Sequence, residues 1–112
     1  MITSRVKLNC GNIRDWASFH EEFSRVFGFP SFYGKNMDAW IDCMSSLNAP
    51  DDGMSTVHCE PGSILTIDLE NAADFARRCP EQYAALFSCA AFVNARRNEV
   101  GEPSVLALNF LS

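Results

Sequence analysis

Three short runs of strand-forming residues, Thr3 to Leu8, Ser63 to Leu69 and Val105 to Phe110, are spread along the chain with no hairpin-length link between any two of them. Each gap instead carries two segments of helical character. Strands joined this way return parallel, because a parallel connection needs a crossover of roughly a dozen residues or more. The order strand, helix, helix, strand, helix, helix, strand therefore predicts an α/β fold: a small three-stranded parallel sheet packed by helices, with right-handed crossovers. At 112 residues and 47% hydrophobic content, the chain suits one domain spanning residues 1–112.

In the first strand Val6 and Leu8 alternate with Arg5 and Lys7, as on a half-exposed strand. Ile13, Trp16, Phe19, Phe23 and Val26 then recur at helical spacing, with Asp15 near the start and Gly28 and Pro30 ending the run. A short second helix is predicted from Asn36 or Met37 to Met44, with Asn36 as its cap. The segment Ser45 to Gly62 is rich in turn formers and reads as a long loop, with room for a short extra strand at Ser55 to Cys59. Beyond the second strand, Asn71 to Cys79 reads as a short helix, and Pro80 opens a longer one that ends near Arg96 and Arg97. That last helix is apolar on most sides, which predicts burial. Val105 to Phe110 is nearly continuous in apolar character, as in strands inside parallel sheets.

The five cysteines are odd in number and never spaced as CxxC, which argues against a disulfide framework or a zinc ribbon and for reduced, buried thiols. No stretch approaches the roughly 18 apolar residues of a membrane span, and the start lacks the apolar block of a secretory signal. The expectation is a soluble, cytoplasmic protein.

Charge is distributed unevenly. Nine bases and fourteen acids give −5, yet Asn36 to Ala76 holds eight acids and no Lys or Arg. Such a middle repels nucleic acid and membrane surfaces and attracts cations. Within it, Met37, Trp40, Ile41 and Met44 form the apolar stripe of the short helix, while Asp38 and Asp42 share a different arc. Two aspartates one turn apart repel, so keeping both on one face needs a reason.

Catalytic and cofactor chemistry finds little support. The glycines are isolated and none opens a phosphate loop, and no nucleophile and base pair stands out. A metal site from Asp38, Asp42, His58 and Cys59 mixes hard carboxylates with one thiolate and matches no common pattern. His58 reads as a solvated loop histidine, and His20, opposite the aromatic stripe of its helix, needs no role. The expectation is a protein without catalysis, metal or cofactor. An acidic helix led in by Phe32 and Tyr33 suits the docking of a basic protein surface.

The stretch YGKNMDAWIDC, with Phe32 before it, resembles the signature of the barstar family, small intracellular inhibitors of ribonucleases. The pattern is met from Phe32 through Cys43, and the element order agrees over nearly the whole chain. The resemblance implies that the acidic helix and the loop before it plug a ribonuclease active site, with carboxylates where RNA phosphates would lie. It implies partner-binding roles for Asp38 and Asp42, with Phe32, Tyr33, Gly34, Asn36 and Ala39 beside them. Three departures stand out. Ile41 occupies a place where the family often has tryptophan, Asn94 falls near the position of a glutamate contributed by the last helix, and the middle loop is longer. They imply a ribonuclease related to, but distinct from, the family's best-known target. The rival expectation is an interaction module of the same fold whose acidic face takes a basic partner that is not a nuclease.

Overall fold

The computed structural model describes residues 2–111. Strands β1 (Arg5–Asn9), β2 (Leu65–Glu70) and β3 (Leu106–Phe110) form one parallel sheet in the order β1-β2-β3, with Val6 opposite Ile67 and Ile67 opposite Leu108. Between them run helices α1 (Trp16–Phe27), α2 (Met37–Ser45), α3 (Ala72–Arg78) and α4 (Pro80–Glu99). The predicted order and sheet type are the observed ones. Leu8, Leu65, Ile67 and Leu69 of the sheet share a core with Phe19, Phe23 and Phe27 of α1, Trp40 and Met44 of α2, Phe75 of α3, and Leu86 and Val93 of α4.

The start of α1 is fixed by a reciprocal cap, in which Asp15 Oδ1 accepts from Ser18 N–H and Ser18 Oγ accepts from Asp15 N–H. Its end is fixed at Gly28, which has φ 65°, and a Cβ there would stand 1.9 Å from Thr56 Oγ1. That contact is how the long middle loop docks. Thr56 and Val57 donate their N–H groups to Phe27 O, Cys59 N–H donates to Leu47 O, and Thr3 N–H donates to His58 O. The extra strand expected at Ser55 to Cys59 reduces to one isolated bridge between Ile2 and His58, because the loop's backbone is spent on the end of α1 instead.

Two further expectations are corrected. The central strand is β2, while β3 lies at the sheet edge with only Leu106 of its five residues buried. Its apolar run packs on one face and leaves Phe110 exposed on the rim. Helix α4 is buried only along Leu86, Ala90, Val93 and Arg97, a single stripe, with Phe87 and Phe92 exposed. Its remaining apolar character is largely alanine, which favours helix without requiring a core.

Parallel pairing leaves alternate residues of an edge strand facing outward. Val105 O and Leu111 N–H bond to β2, so Leu106, Leu108 and Phe110 present their backbone to the open side. Asn94 of α4 fills the first of these places: its Oδ1 accepts from Val105 and Leu106 N–H, and its Nδ2 donates to Leu106 O.

Arg97 joins α4 to the rest. Its guanidinium donates to Pro103 O at 3.0 Å, Ser45 O at 3.2 Å and Asn48 Oδ1 at 3.4 Å, and pairs with Glu102 at 3.0 Å. A cation at the last turn of α2 also suits that helix's dipole. Replacing Arg97 by Met keeps the packed stem and removes these bonds. The variant is expected to lose about 1.5 to 3 kcal/mol, the range for hydrogen bonds to charged groups, read as a lower urea midpoint with an unchanged slope.

Candidate partner-binding surface

Helix α2 is divided by its own sequence. Trp40, Ile41, Cys43 and Met44 are buried, while Asp38 and Asp42 are exposed. Trp40 lies wholly inside, its ring edge-on to Phe23 with centroids 5.6 Å apart, so α2 is held against α1 by the face opposite the aspartates. Asn36 caps the helix as predicted, with Oδ1 accepting from Ala39 N–H at 2.8 Å. Asp38 sits in the first turn, where the helix dipole stabilises a carboxylate, and Asp42 has moved beyond that favourable end.

The loop from Gly28 to Lys35 is pinned by Tyr33. Its side chain is buried, its ring packs on Phe29 with centroids 4.6 Å apart, and its hydroxyl shares a 2.6 Å hydrogen bond with His20 Nδ1. Burial pushes the Tyr33 hydroxyl pKa up, and burial followed by the charge of Lys35 pushes the His20 pKa down. With Tyr33 turned inward, its neighbour Phe32 faces out and is 73% exposed. Gly34 has room for a Cβ, the nearest atom being Asn36 Nδ2 at 3.4 Å, and the left-handed conformation of this turn falls on Lys35, with φ 54°.

Of the residues expected to bind a partner, Phe32, Gly34, Asn36, Asp38 and Asp42 are exposed, Ala39 is half-buried and Tyr33 is buried. His20, expected to need no role, is buried under the same loop and stacks on Trp16 with centroids 5.9 Å apart. The helix wheel placed it opposite the aromatic stripe, and the loop folds back over that side. His58 is half-buried rather than solvated, and its Nδ1 is enclosed with no hydrogen-bond partner among the described residues. Among the described residues, no three His, Cys, Asp or Glu side chains converge as metal ligands.

The run of acids is not one field. Asp68 is buried in β2, paired with Arg5 at 2.8 Å and accepting from Asn109 Nδ2 at 2.8 Å. Asp74 is held by Arg77 and Arg78, which pull its pKa below the ordinary carboxylate range. Asp38, Asp42, Asp51, Asp52 and Glu60 remain exposed. Even there a base is present: Arg96 of α4 lines a groove with Asp42, Ser45, Ser46, Asp52 and Met54. The aspartates that looked unopposed in sequence face a cation supplied from far along the chain. Asn94, by contrast, brings no polar group to this surface, since both ends of its amide are bonded to β3.

Four of the five cysteines are buried and all are free. Burial pushes the Cys10 thiol up to about 12, and burial followed by the Asp42 charge pushes Cys43 up to about 11. Both stay protonated at neutral pH and behave as small apolar side chains. No helix among the described residues is long and apolar enough to cross a membrane.

A family model described as Barstar (barnase inhibitor) matches residues 3–108. The match takes in β1, β2, all four helices and the first three residues of β3, and the chain belongs to the barstar family. No curated protein matches it.

The His20 and Tyr33 pair makes the loop sensitive to acid. Because the folded His20 pKa lies below the ordinary 6.5, the unfolded chain takes up a proton first as pH falls, and stability declines below that value. Urea unfolding from pH 7.5 to 5 should show this decline in the wild type and a shallower one in His20→Gln.

Proposed function

We propose that this member of the barstar family is a cytoplasmic immunity protein that blocks the active site of a ribonuclease toxin. The reading rests on one observation above the others. Helix α2 is fixed by its buried stripe, by the Asn36 cap and by Arg97, it carries two exposed carboxylates, and the loop that leads into it exposes Phe32. A ribonuclease cleft lined by Arg, Lys and His holds phosphates through charge-assisted hydrogen bonds, and carboxylates on a rigid element satisfy the same donors. Asp38 and Asp42 would supply those carboxylates, and Phe32 would add an apolar anchor at the rim. Ala39, small and half-exposed between the aspartates, lets the partner approach the helix backbone closely. Gly34 serves the same end in the loop, Asn36 holds the helix start in register, and Tyr33 supports the turn from beneath.

Occlusion needs no reaction. Specificity and affinity come from desolvated pairs between carboxylates and the partner's cations, and the speed of association from the acidic field.

The direct test is RNA cleavage by a panel of secreted bacterial ribonucleases, barnase among them, titrated with this protein. Stoichiometric loss of cleavage for at least one enzyme is the expected result. A partner that binds at saturation and still cleaves RNA would identify a docking module for basic proteins instead.

Three quantitative expectations follow from this reading. Asp42→Asn should leave the free protein as stable or stabler, by roughly 0.2 to 0.5 kcal/mol, because a like-charge pair one turn apart is relieved. The same change should weaken binding by about 2 to 5 kcal/mol in calorimetry, the usual range when a buried interfacial charge pair loses one partner. In stopped-flow measurements the on-rate should exceed the ordinary ~10⁵ to 10⁷ M⁻¹s⁻¹ and fall as salt rises, with the off-rate moving less.

A further inference from the structure

We propose that Arg96 is a specificity determinant of this surface: it selects a ribonuclease that carries a carboxylate at the rim of its basic cleft and disfavours one that is basic throughout. The inference rests on the inhibitor reading, since it names the kind of ribonuclease surface the acidic face would take.

The groove between α2, the loop that follows it and α4 has a volume of about 440 Å³ and is lined by Asp42, Ser45, Ser46, Asp52, Met54 and Arg96. It holds charges of both signs that do not cancel each other in contact, for among the described residues no carboxylate lies within 4.0 Å of the Arg96 guanidinium. Arg97, one residue on, is the contrast. It is buried, and its donors are committed to carbonyls of the chain. Arg96 is exposed, and its Cζ lies 5.6 Å from the centroid of the Phe92 ring. A ring face attracts a guanidinium without consuming its N–H groups, so Arg96 is held on the outer surface of α4 with its planar fork of donors unspent. That fork matches a carboxylate in geometry and charge.

An incoming surface that satisfies Asp38 and Asp42 is basic. Where its basic character extends across the groove, it sets a second cation against Arg96 and affinity is lost. Where a carboxylate stands at that place, Arg96 pairs with it. Discrimination between related ribonucleases then comes from repulsion on one side and pairing on the other, the two routes by which closely similar partners are told apart.

The probe is barnase, a ribonuclease whose cleft must offer cationic donors to RNA phosphates. Its affinity would be measured by calorimetry and by competition in RNA cleavage for wild type, Arg96→Ala and Arg96→Glu, each also combined with Asp42→Asn. Urea unfolding of every variant would establish that all are folded to the same extent. Arg96→Glu is expected to bind at least tenfold more tightly than wild type, or measurably where wild type does not, with Arg96→Ala between them. Adding Asp42→Asn should remove the gain. An Arg96→Glu variant that binds barnase no more tightly than wild type would overturn the role given to Arg96. A gain that survives Asp42→Asn would place docking elsewhere and overturn the acidic-face reading, and this inference with it.

Discussion

A buried guanidinium must find partners for its donors or cost far more than its packing returns, and Arg97 finds them both in a distant segment, at Ser45 and Asn48, and close by, at Pro103. The last turn of α2 supplies Ser45 O, the loop beyond it Asn48 Oδ1, and the approach to β3 Pro103 O. Apolar packing alone tolerates sliding and rotation of one helix on another, whereas directional bonds to a planar group tolerate much less. The angle at which α2 meets α4 is thus set by a polar requirement laid over an apolar contact. Everything on the far side of α2 inherits that setting, including the line of Asp38 and Asp42 and their separation from Arg96. Adjacent arginines divide the work, one facing in to fix the frame and the other facing out at its edge.

The elements were legible because the signals that define them are local. Helical spacing from Trp16 to Val26, the Asn36 cap and the run of strand formers before Glu70 each lie within a few turns of sequence. The acidic pair on α2 was legible for the same reason, since both the apolar stripe and the charged arc belong to one short helix. What escaped depends on contacts between distant segments. Asp68 counts as one more acid in a linear tally, and only the pairing of β1 with β2 brings Arg5 to it. His20 sits on the polar side of a helical wheel, and only the returning loop covers it with Tyr33. The apolar runs of β2 and β3 are alike in composition, so nothing in either string tells which lies at the centre.

The energetics of α2 show how recognition and stability are kept apart. Its buried side chains and caps are enough to hold a nine-residue helix that would be marginal alone. Asp38 adds to that stability through the helix dipole, and Asp42 opposes it through repulsion. The cost is small because both groups are solvated in the free protein. In the complex proposed above, both would be desolvated against cations, where a charge pair weighs far more than it does in water. A neutral residue at position 42 would relieve that repulsion and remove one of the two carboxylates on which the proposed inhibitory face rests.

The amide of Asn94 gives the sheet a boundary made from a side chain. It offers one acceptor and one donor in the spacing of a peptide group, so that Leu106 meets something chemically equivalent to a fourth strand where none exists. Along the β3 edge, among the described residues, Leu108 and Phe110 are left to template another chain, a span shorter than the strands from which stable sheets and fibrils are built. A carboxylate in that position would accept but could not donate, and would leave Leu106 O open. Neutrality at residue 94 thus keeps the start of this sheet edge from acting as a template for aggregation.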